Sequence, residues 1–479
     1  MIRKEYAYPV RILRMEGKVE GEEHLLETGP MQIGLGSQEQ RHLCRIAGPA
    51  FLILDFGREM RAGLRILCAR AAMPDGSAPQ IRIRLGESVG ECSAECGEKG
   101  ACNDHAPRDF FCPLVGMSDT CWGQSGFRFA RLDIPADAAV ELRSVLAEGE
   151  ILSLRARVGY TGTDPVLSEV FSVAKRTIDL CAAGRYVWDG IKRDRLVWIG
   201  DMHPEMLALT TLYGPTAVLE NSLEYLRRTT APGHWMCDIP TYSAWWVIVL
   251  ADYYTRTGRR AFTGRNLGCA RRLIRELLSC VDAGGGLHFP MLFVDWPTHG
   301  EADEEDGVRA ILTMAAEKAR TLFDLFDRSC PEAGELHRRL SLRPITARTS
   351  MQVAALKYFA CGSLTPEEKA MMQRQGAAGL STFMSYYILT AYAQCFGAEE
   401  ARAICRTYYG AMLARGATTF FEDFHMAWLD GSGRIDEPTP EGMRDLHGDY
   451  GAFCYRGYRH SLCHAWSSGV IAFLHENPG

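Results

Sequence analysis

The chain has 479 residues, enough for more than one domain, and its 47% hydrophobic and 23% charged residues are ordinary for a soluble globular protein. A formal net charge of −6 gives no electrostatic basis for binding nucleic acid, and no run of about 20 apolar residues predicts a membrane span. The amino terminus mixes charged residues with tyrosine and lacks the apolar centre of a secretory signal, so we expect a cytoplasmic protein whose 17 cysteines are reduced.

Short runs typical of β-strands dominate the chain before residue 160. Each run alternates or is continuously apolar, and glycine, proline, aspartate and serine separate one from the next. The pattern predicts an antiparallel β-sandwich domain over residues 1–160. The predicted strands are 51–55, 63–67, 81–85, 127–132 and 151–155.

After residue 160 the apolar residues recur at helical spacing, with N-cap residues such as Thr365 and Ser381 and with glycine or proline at the breaks. Twelve helices joined by alternating short and long connections predict six helical hairpins closed into a toroid, an (α/α)6 barrel, over residues 161–479. The predicted helices are 166–183, 202–214, 216–229, 242–257, 262–281, 305–327, 332–341, 349–362, 366–375, 382–396, 398–415 and 464–475.

The long connections of such a toroid gather on one face and line a central cup. The segment 189–205, DGIKRDRLVWIGDMHPE, surrounds one tryptophan with four carboxylates and several cations. Carboxylates accept hydrogen bonds from sugar hydroxyls, and an indole stacks on the face of a sugar ring. A solvated loop with local ion pairs is the alternative. The connections at 234–246, 284–307 and 416–464 bring further tryptophans and acids, which favours a carbohydrate ligand.

Several of these segments together resemble the bacterial α-L-rhamnosidases of glycoside hydrolase family 78. The resemblance is carried by DGIKRDRLVWIGD, VDWP, GATTFFEDF and SLCHAWSSG, and earlier by DFGREMRAGLRI, RLGES and SGFRFARLDI. It implies a β-sandwich followed by an (α/α)6 barrel that removes terminal α-L-rhamnosyl groups from glycosides or oligosaccharides, with inversion at the anomeric carbon. The alternatives are a six-hairpin glycosidase acting on another sugar and a catalytically weakened sugar-binding relative.

Inversion requires two carboxyls about 6.5–9.5 Å apart, one to protonate the leaving oxygen and one to activate a water molecule. Glu422, in GATTFFEDF, lies where the resembled family has its general base, and the neighbouring Phe420, Phe421 and Phe424 would hold a water molecule against it. The alternative is a glutamate at a helix end that pairs with Arg415.

The resembled family usually has a glutamate as general acid, with a tryptophan four residues later and an aspartate seven residues later. Counting back from Trp198 and Asp201 leads to Asp194. Because aspartate is one methylene shorter, its carboxyl would fall short by roughly 1.5 Å unless the backbone approaches the substrate. Glu205 or Asp189 could serve instead, or the chain could be a weakened relative.

The remaining site residues are predicted to contact the sugar. Carboxylates and Arg193 would bind hydroxyls, the indoles would form walls, and an apolar wall suits the C6 methyl of a deoxysugar. A core or helix-capping histidine is the alternative for His464, and Lys192 and Arg195 are expected to be solvated or ion-paired. The predicted substrate-binding residues are Asp189, Arg193, Trp198, Asp201, Glu205, Trp245, Asp295, Trp296 and His464.

We expect no cofactor and no metal, because nucleotide-binding glycine motifs are absent and the cysteine spacings match no zinc site. The chain ends soon after the twelfth predicted helix, where many members of the resembled family continue into a β-domain. We therefore expect either a homodimer that covers the exposed edge or a compact subtype.

Overall fold

The computed structural model describes residues 1–29, 33 and 42–479. In these residues, an antiparallel β-sheet comes first and α-helices follow, which confirms the predicted order. The sheet has seven strands in the order β1-β7-β3-β6-β4-β5, with β2 paired to β3. The strands are β1 (Ile2–Ala7), β2 (Arg11–Glu20), β3 (Cys44–Ala72), β4 (Gln80–Gly86), β5 (Asp109–Pro113), β6 (Ser118–Ile134) and β7 (Ala139–Leu152).

The sheet curls because its longest strand, β3, bends. Cys44 and Cys68, near opposite ends of β3, both pair with Leu142 of β7, and the pairing with β6 breaks between Asp55 and Met60. Alternate residues of both halves point into one buried apolar core. The predicted strands 51–55 and 63–67 are therefore two halves of one bent strand in a single continuous sheet, whereas we predicted a sandwich of short strands.

Thirteen α-helices lie in the described residues, and twelve of them match the predicted set. The additional one is α1, a short helix capped by the Ser88 side chain, which accepts a hydrogen bond from the Glu91 amide. The helices are α1 (Val89–Ser93), α2 (Pro165–Cys181), α3 (Met202–Tyr213), α4 (Ala217–Thr229), α5 (Pro240–Thr257), α6 (Arg260–Ser279), α7 (Glu304–Asp324), α8 (Pro331–Leu340), α9 (Met351–Cys361), α10 (Pro366–Gln375), α11 (Ser385–Phe396), α12 (Ala398–Ala414) and α13 (Val470–Glu476).

Six of these helices form a closed ring. Each of α3, α5, α7, α9 and α11 packs against the next odd-numbered helix, and α13 packs against α3. The burial patterns fit these positions: residues 240–251 of α5 are buried on every side, whereas α4 buries an apolar stripe at helical spacing. None of the helices in the described part of the chain combines the length and apolar character needed to span a bilayer.

The predicted boundary at residue 160 lies in the connection between Leu152 and Pro165, and the division into two domains stays a prediction. Thr365 caps α10 as predicted, with Glu368 completing a capping box. The last predicted helix, 464–475, is shorter in the structure, because a 3-10 turn over Ala465–Gly469 precedes α13.

The connection between α12 and α13, residues 415–469, is anchored to the sheet. Buried Asp55 of β3 pairs with Arg128 of β6, with 2.8 Å between Oδ1 and Nε. The same guanidinium donates to the Gly416 carbonyl at 2.9 Å, and Arg11 of β2 donates to the Asp436 carbonyl at 2.7 Å. The sheet therefore holds the segment that carries Glu422.

Candidate active site

A cavity of about 230 Å³ opens where four connections between helices meet. The connections precede α3, α5, α7 and α13, and three of them are long connections that the sequence singled out. Small-molecule sites commonly measure about 300–1,000 Å³, so this one suits a single small ring. The lining residues are Asp189, Arg193, Asp194, Trp198, Asp201, Ile239, Tyr242, Phe293, Trp296, Glu422, Cys454, Tyr455, Arg459, His464 and Trp466.

Most of the predicted site residues come together here. Asp295 lines a smaller adjoining cavity of about 40 Å³ that shares Glu422 and Trp296 with the larger one. Glu205 and Trp245 line neither cavity. The predicted residues in the larger cavity are Asp189, Arg193, Asp194, Trp198, Asp201, Trp296, Glu422 and His464.

The Arg193 guanidinium lies between two carboxyls from distant parts of the chain. Its Nη1 is 3.0 Å from Asp194 Oδ2, and its Nη2 donates to Glu422 Oε1. Nε donates to the Arg459 carbonyl at 3.1 Å, so the group is fixed at three points. Because both carboxyls contact the same guanidinium, they lie close to one another.

Glu422 is held from three sides. Its Oε2 accepts from the Ser461 amide at 3.0 Å, its own amide donates to the Ser461 carbonyl at 2.9 Å, and the Trp466 indole donates to its carbonyl at 2.9 Å. The side chain is only 3% exposed, with buried phenylalanines on both sides of it in the sequence. The alternative pairing with Arg415 is wrong, because that guanidinium donates to the Leu429 carbonyl.

Two further carboxyls surround a neutral histidine on the buried side of the cavity. His464 Nε2 lies 3.9 Å from Asp189, 4.0 Å from Asp201 and 3.9 Å from Glu422. Burial, reinforced by the charge of Arg193, holds the pKa of His464 well below its usual value.

The pKa values of Asp189 and Asp201 are both raised. Burial is the largest cause for each, and neighbouring carboxylates add to it: Asp194 acts on Asp189, and Asp189 acts on Asp201. A protonated carboxyl donates one hydrogen bond and accepts others, so these two groups can bind hydroxyls in both senses.

Aromatic rings form another wall of the cavity. Trp198, Tyr242, Phe293 and Trp296 follow one another edge to face, with ring centroids 6.2, 6.1 and 5.2 Å apart. Acids facing a continuous aromatic wall match the two kinds of surface that a sugar presents, its hydroxyls and its apolar ring face.

The two predicted residues outside the cavities lie deeper in the helices. Trp245 is 1% exposed and packs against His203 and Tyr387, with centroids 5.5 and 5.7 Å away, so Tyr242, one helical turn earlier, takes the wall position predicted for it. Glu205 is 2% exposed on α3, and its Oε1 has no hydrogen-bond partner among the described residues. Burial and the charge of Asp201 raise the pKa of Glu205.

Several residues that line the larger cavity were not predicted as site residues. Tyr242, Phe293, Tyr455, Arg459 and Trp466 all line the larger cavity. The dense aromatic and basic composition of residues 450–460 was the available signal, since so many large rings and cations in one connection are uncommon on a plain surface.

Lys192 is ion-paired, one of the two outcomes predicted for it, and it is buried in the structure. Its ammonium lies 3.1 Å from Glu87 and 3.1 Å from Glu91, and donates to the carbonyls of Tyr458 and His460 at 2.8 and 2.6 Å. Glu87, Glu91 and His447 lie close enough together to resemble a metal site, but the ammonium already supplies the positive charge between the two carboxylates.

This buried cluster also fixes the segment that holds Glu422. Glu87 Oε2 accepts from the Leu462 amide at 2.5 Å, and Oε1 accepts from the Ser461 hydroxyl at 3.3 Å. Because the Ser461 amide binds the Glu422 carboxylate, a residue at the end of strand β4 helps to set the position of Glu422.

Solved structures with the same fold include α-L-rhamnosidases. The rhamnosidase from Klebsiella oxytoca with rhamnose bound matches 99% of this chain and 96% of its own, with a TM-score of 0.73 and 18% identity. The GH78 family rhamnosidase of Bacillus sp. GL1 matches 94% of this chain, with a TM-score of 0.68 and 18% identity. The α-L-rhamnosidase of Streptomyces avermitilis complexed with L-rhamnose matches 89%, with a TM-score of 0.65 and 14% identity.

This chain spans 48% of the Bacillus chain and 42% of the Streptomyces chain. No protein-family sequence model and no curated protein sequence matches it. The predicted resemblance to α-L-rhamnosidases is thus confirmed in the fold, at low sequence identity.

The stability of the site is expected to depend on pH through Asp423, beside the smaller cavity. Burial, with the charges of Glu422 and Asp295, raises the pKa of Asp423 to about 7. For an acid whose pKa is raised by folding, the stabilising contribution is complete below the unfolded pKa of about 4 and is lost as pH rises through the folded pKa. From pH 5 to 7, we expect the Asp423→Asn variant to gain stability relative to the parent, by up to about 1.4 kcal/mol per pH unit. Urea unfolding at several pH values measures this difference.

Glu335→Gln is the control for that experiment. Hydrogen bonds from Arg338 and Arg339 lower the pKa of Glu335 to about 2, so this carboxyl is ionised in both the folded and unfolded states over the window, and its arginine partners do not change their charge there. Its stability difference from the parent should stay level between pH 5 and 7. A level difference for Asp423→Asn as well would contradict the account of Asp423.

Proposed function

We propose that this protein is an inverting glycoside hydrolase that removes terminal α-L-rhamnosyl groups from glycosides or oligosaccharides. The observation that carries the proposal is the pairing of Arg193 with both Asp194 and Glu422 at a cavity sized for one sugar. The fold supports it, since the structures named above include rhamnosidases bound to rhamnose. We take the ring of α3, α5, α7, α9, α11 and α13 as the inner ring of an (α/α)6 barrel.

Glu422 is the proposed general base. In this role its carboxylate removes a proton from a water molecule that attacks the anomeric carbon from the face opposite the leaving group. The Ser461 amide occupies Oε2, and Arg193 bonds Oε1, so both oxygens are oriented before substrate arrives. A base fixed in this way has little rearrangement to make during the reaction.

Asp194 is the proposed general acid, in preference to Asp189 and Glu205. The side chain of Asp194 is 19% exposed, whereas Asp189 is 3% exposed and Glu205 lines neither of the two cavities described above. When a terminal sugar fills the cavity, its glycosidic oxygen must face the opening through which the rest of the substrate extends. The carboxyl nearest solvent is therefore the one best able to protonate it.

The other polar groups are proposed to bind the sugar. Asp189 and Asp201, with raised pKa values, exchange hydrogen bonds with hydroxyls, and His464 offers a neutral ring between them. The rings of Trp198 and Trp296 provide dry contacts for the ring face and for the C6 methyl of a deoxysugar.

A sugar-binding protein without turnover is the second candidate. The observation that favours it is the aspartate at position 194, because the resembled family usually has the longer glutamate there and a displacement of about 1 Å can cost on the order of a hundredfold in rate. Turnover of a simple substrate separates the two candidates.

The first test is hydrolysis of p-nitrophenyl α-L-rhamnoside. We expect release of nitrophenol, and we expect Glu422→Gln to lower kcat by at least about a thousandfold with KM changed by no more than a few fold, because the amide cannot take the proton. Glu437→Gln is the matched control, an exposed glutamate in the same connection, and should retain full activity. Turnover by Glu422→Gln at the parental rate would contradict the assignment of Glu422. If the parental protein binds rhamnose but hydrolyses none of a panel of nitrophenyl glycosides, the sugar-binding candidate is favoured.

A second test identifies the acid by changing the leaving group. A 2,4-dinitrophenolate leaves without protonation, whereas an alkoxide does not, so loss of the acid affects alkyl rhamnosides most. We expect Asp194→Asn to lower kcat by about a thousandfold on methyl α-L-rhamnoside and by less than about tenfold on the dinitrophenyl substrate. Asp189→Asn should impair both substrates to a similar degree, and the reverse pattern would make Asp189 the acid.

A further inference from the structure

The backbone at Asp194 has a strained conformation, which requires stabilising contacts from other parts of the protein. Asp194 and the next residue, Arg195, have φ values of 57° and 55°, in the left-handed region that residues with a side chain rarely occupy. The Arg195 amide donates to the Arg193 carbonyl at 2.7 Å, which closes a three-residue γ-turn with Asp194 at its centre. Left-handed residues that carry a side chain are strained, and they persist where their surroundings impose them.

A histidine of the predicted β-domain contacts this turn. It lies in the connection between α1 and β5. The Asp194 amide donates to Nδ1 of His105 at 3.0 Å, and the same Nδ1 lies 3.5 Å from Asp194 Oδ1. Because Nδ1 accepts in this bond, the ring proton of neutral His105 is on Nε2. One imidazole thus touches both the backbone and the carboxyl of the proposed acid, across 89 residues of sequence.

The segment that carries His105 is itself braced from both sides. Asn103 Oδ1 accepts from the amides of Arg108 and Asp109, both at 3.0 Å, which closes the loop on itself. Asp104 pairs with Arg459, a lining residue of the cavity. These contacts do not involve the imidazole, so the loop retains its anchors when the ring is removed.

We propose that His105 is a positioning residue: it holds the γ-turn that brings the short carboxyl of Asp194 to the place where a longer acid would otherwise be needed. The inference rests on the proposed function. The aspartate side chain is one methylene shorter than a glutamate, and we infer that the backbone at this position lies closer to the substrate to make up the difference. One hydrogen bond to the predicted β-domain stabilises this backbone position. His105 is 45% exposed, so its contribution to the buried core is small.

Two substitutions separate positioning from a general loss of structure. His105→Ala removes the acceptor, whereas His105→Asn keeps an oxygen close to the position of Nδ1, and asparagine tolerates the left-handed φ of 64° found at this residue. We expect His105→Ala to lower kcat on methyl α-L-rhamnoside by about 10- to 100-fold, with KM and the rate on the 2,4-dinitrophenyl rhamnoside within about threefold of the parent. His105→Asn should recover most of the loss.

His42→Ala is the matched control, a partly exposed β-domain histidine that contacts a carboxylate, Glu27, at 3.3 Å. It should behave as the parent on both substrates. Equal loss on both substrates for His105→Ala, no loss on either, or a His105→Asn variant as impaired as the alanine variant would each overturn the inference.

A measurement without turnover keeps this inference distinct from the proposed function. Hydrogen exchange of the peptide covering residues 189–200 should be faster in His105→Ala than in the parent and should return toward the parental rate in His105→Asn. If the parental protein shows no rhamnosidase activity but the variants show this exchange pattern, the proposed function is wrong, whereas the role of His105 in stabilising the turn is supported. Unchanged exchange in His105→Ala would overturn the positioning role whatever the activity.

Discussion

The ion pairs of Arg193 are the constraint on which the site depends. A single buried guanidinium contacts Asp194 from its own segment and Glu422 from a connection more than 200 residues later. Without that charge, the two neighbouring carboxylates would repel, and burial would penalise their ionised forms. The guanidinium therefore holds the two acids beside one another.

That arrangement in turn needs rigid support from outside the helical ring. Lys192, adjacent to Arg193, is anchored by Glu87, which follows strand β4, and by Glu91 of α1. Glu87 also binds the segment whose Ser461 amide holds Glu422. Removing one partner of a buried ion pair leaves an uncompensated charge and typically costs about 3–5 kcal/mol. Residues 1–160 thus contribute to the geometry of the site, although the residues that line the larger cavity all come from later in the chain.

Features carried by local sequence were predictable. The twelve helices followed from apolar periodicity and caps. Asp194 and Glu422, the proposed catalytic pair, were predicted from charge density and from resemblance to a known family, and both line one cavity. Features set by distant partners were not. The burial of Lys192 was not predictable because its carboxylate partners lie about a hundred positions earlier. Nothing near His105 indicated that its ring would contact Asp194.

Two other differences have a simple physical origin. The sequence could not show which side of α5 faces the cavity, because residues 240–251 are buried on every side. No polar face therefore indicates whether Tyr242 or Trp245 lines the cavity. Strand β3 was read as separate strands because the polar residues around Gly57, with its φ of 76°, mark a bend within the strand and look like a turn between two strands.

The central claim is that Asp194 and Glu422 act from opposite faces of one sugar ring, with a water molecule between the base and the anomeric carbon. The stereochemistry of the first-formed product tests it most directly. Proton NMR of p-nitrophenyl α-L-rhamnoside hydrolysis, recorded before the anomers equilibrate, should show β-L-rhamnose appearing first. Early accumulation of α-L-rhamnose would mean that a carboxylate attacks the sugar itself, and would contradict the account.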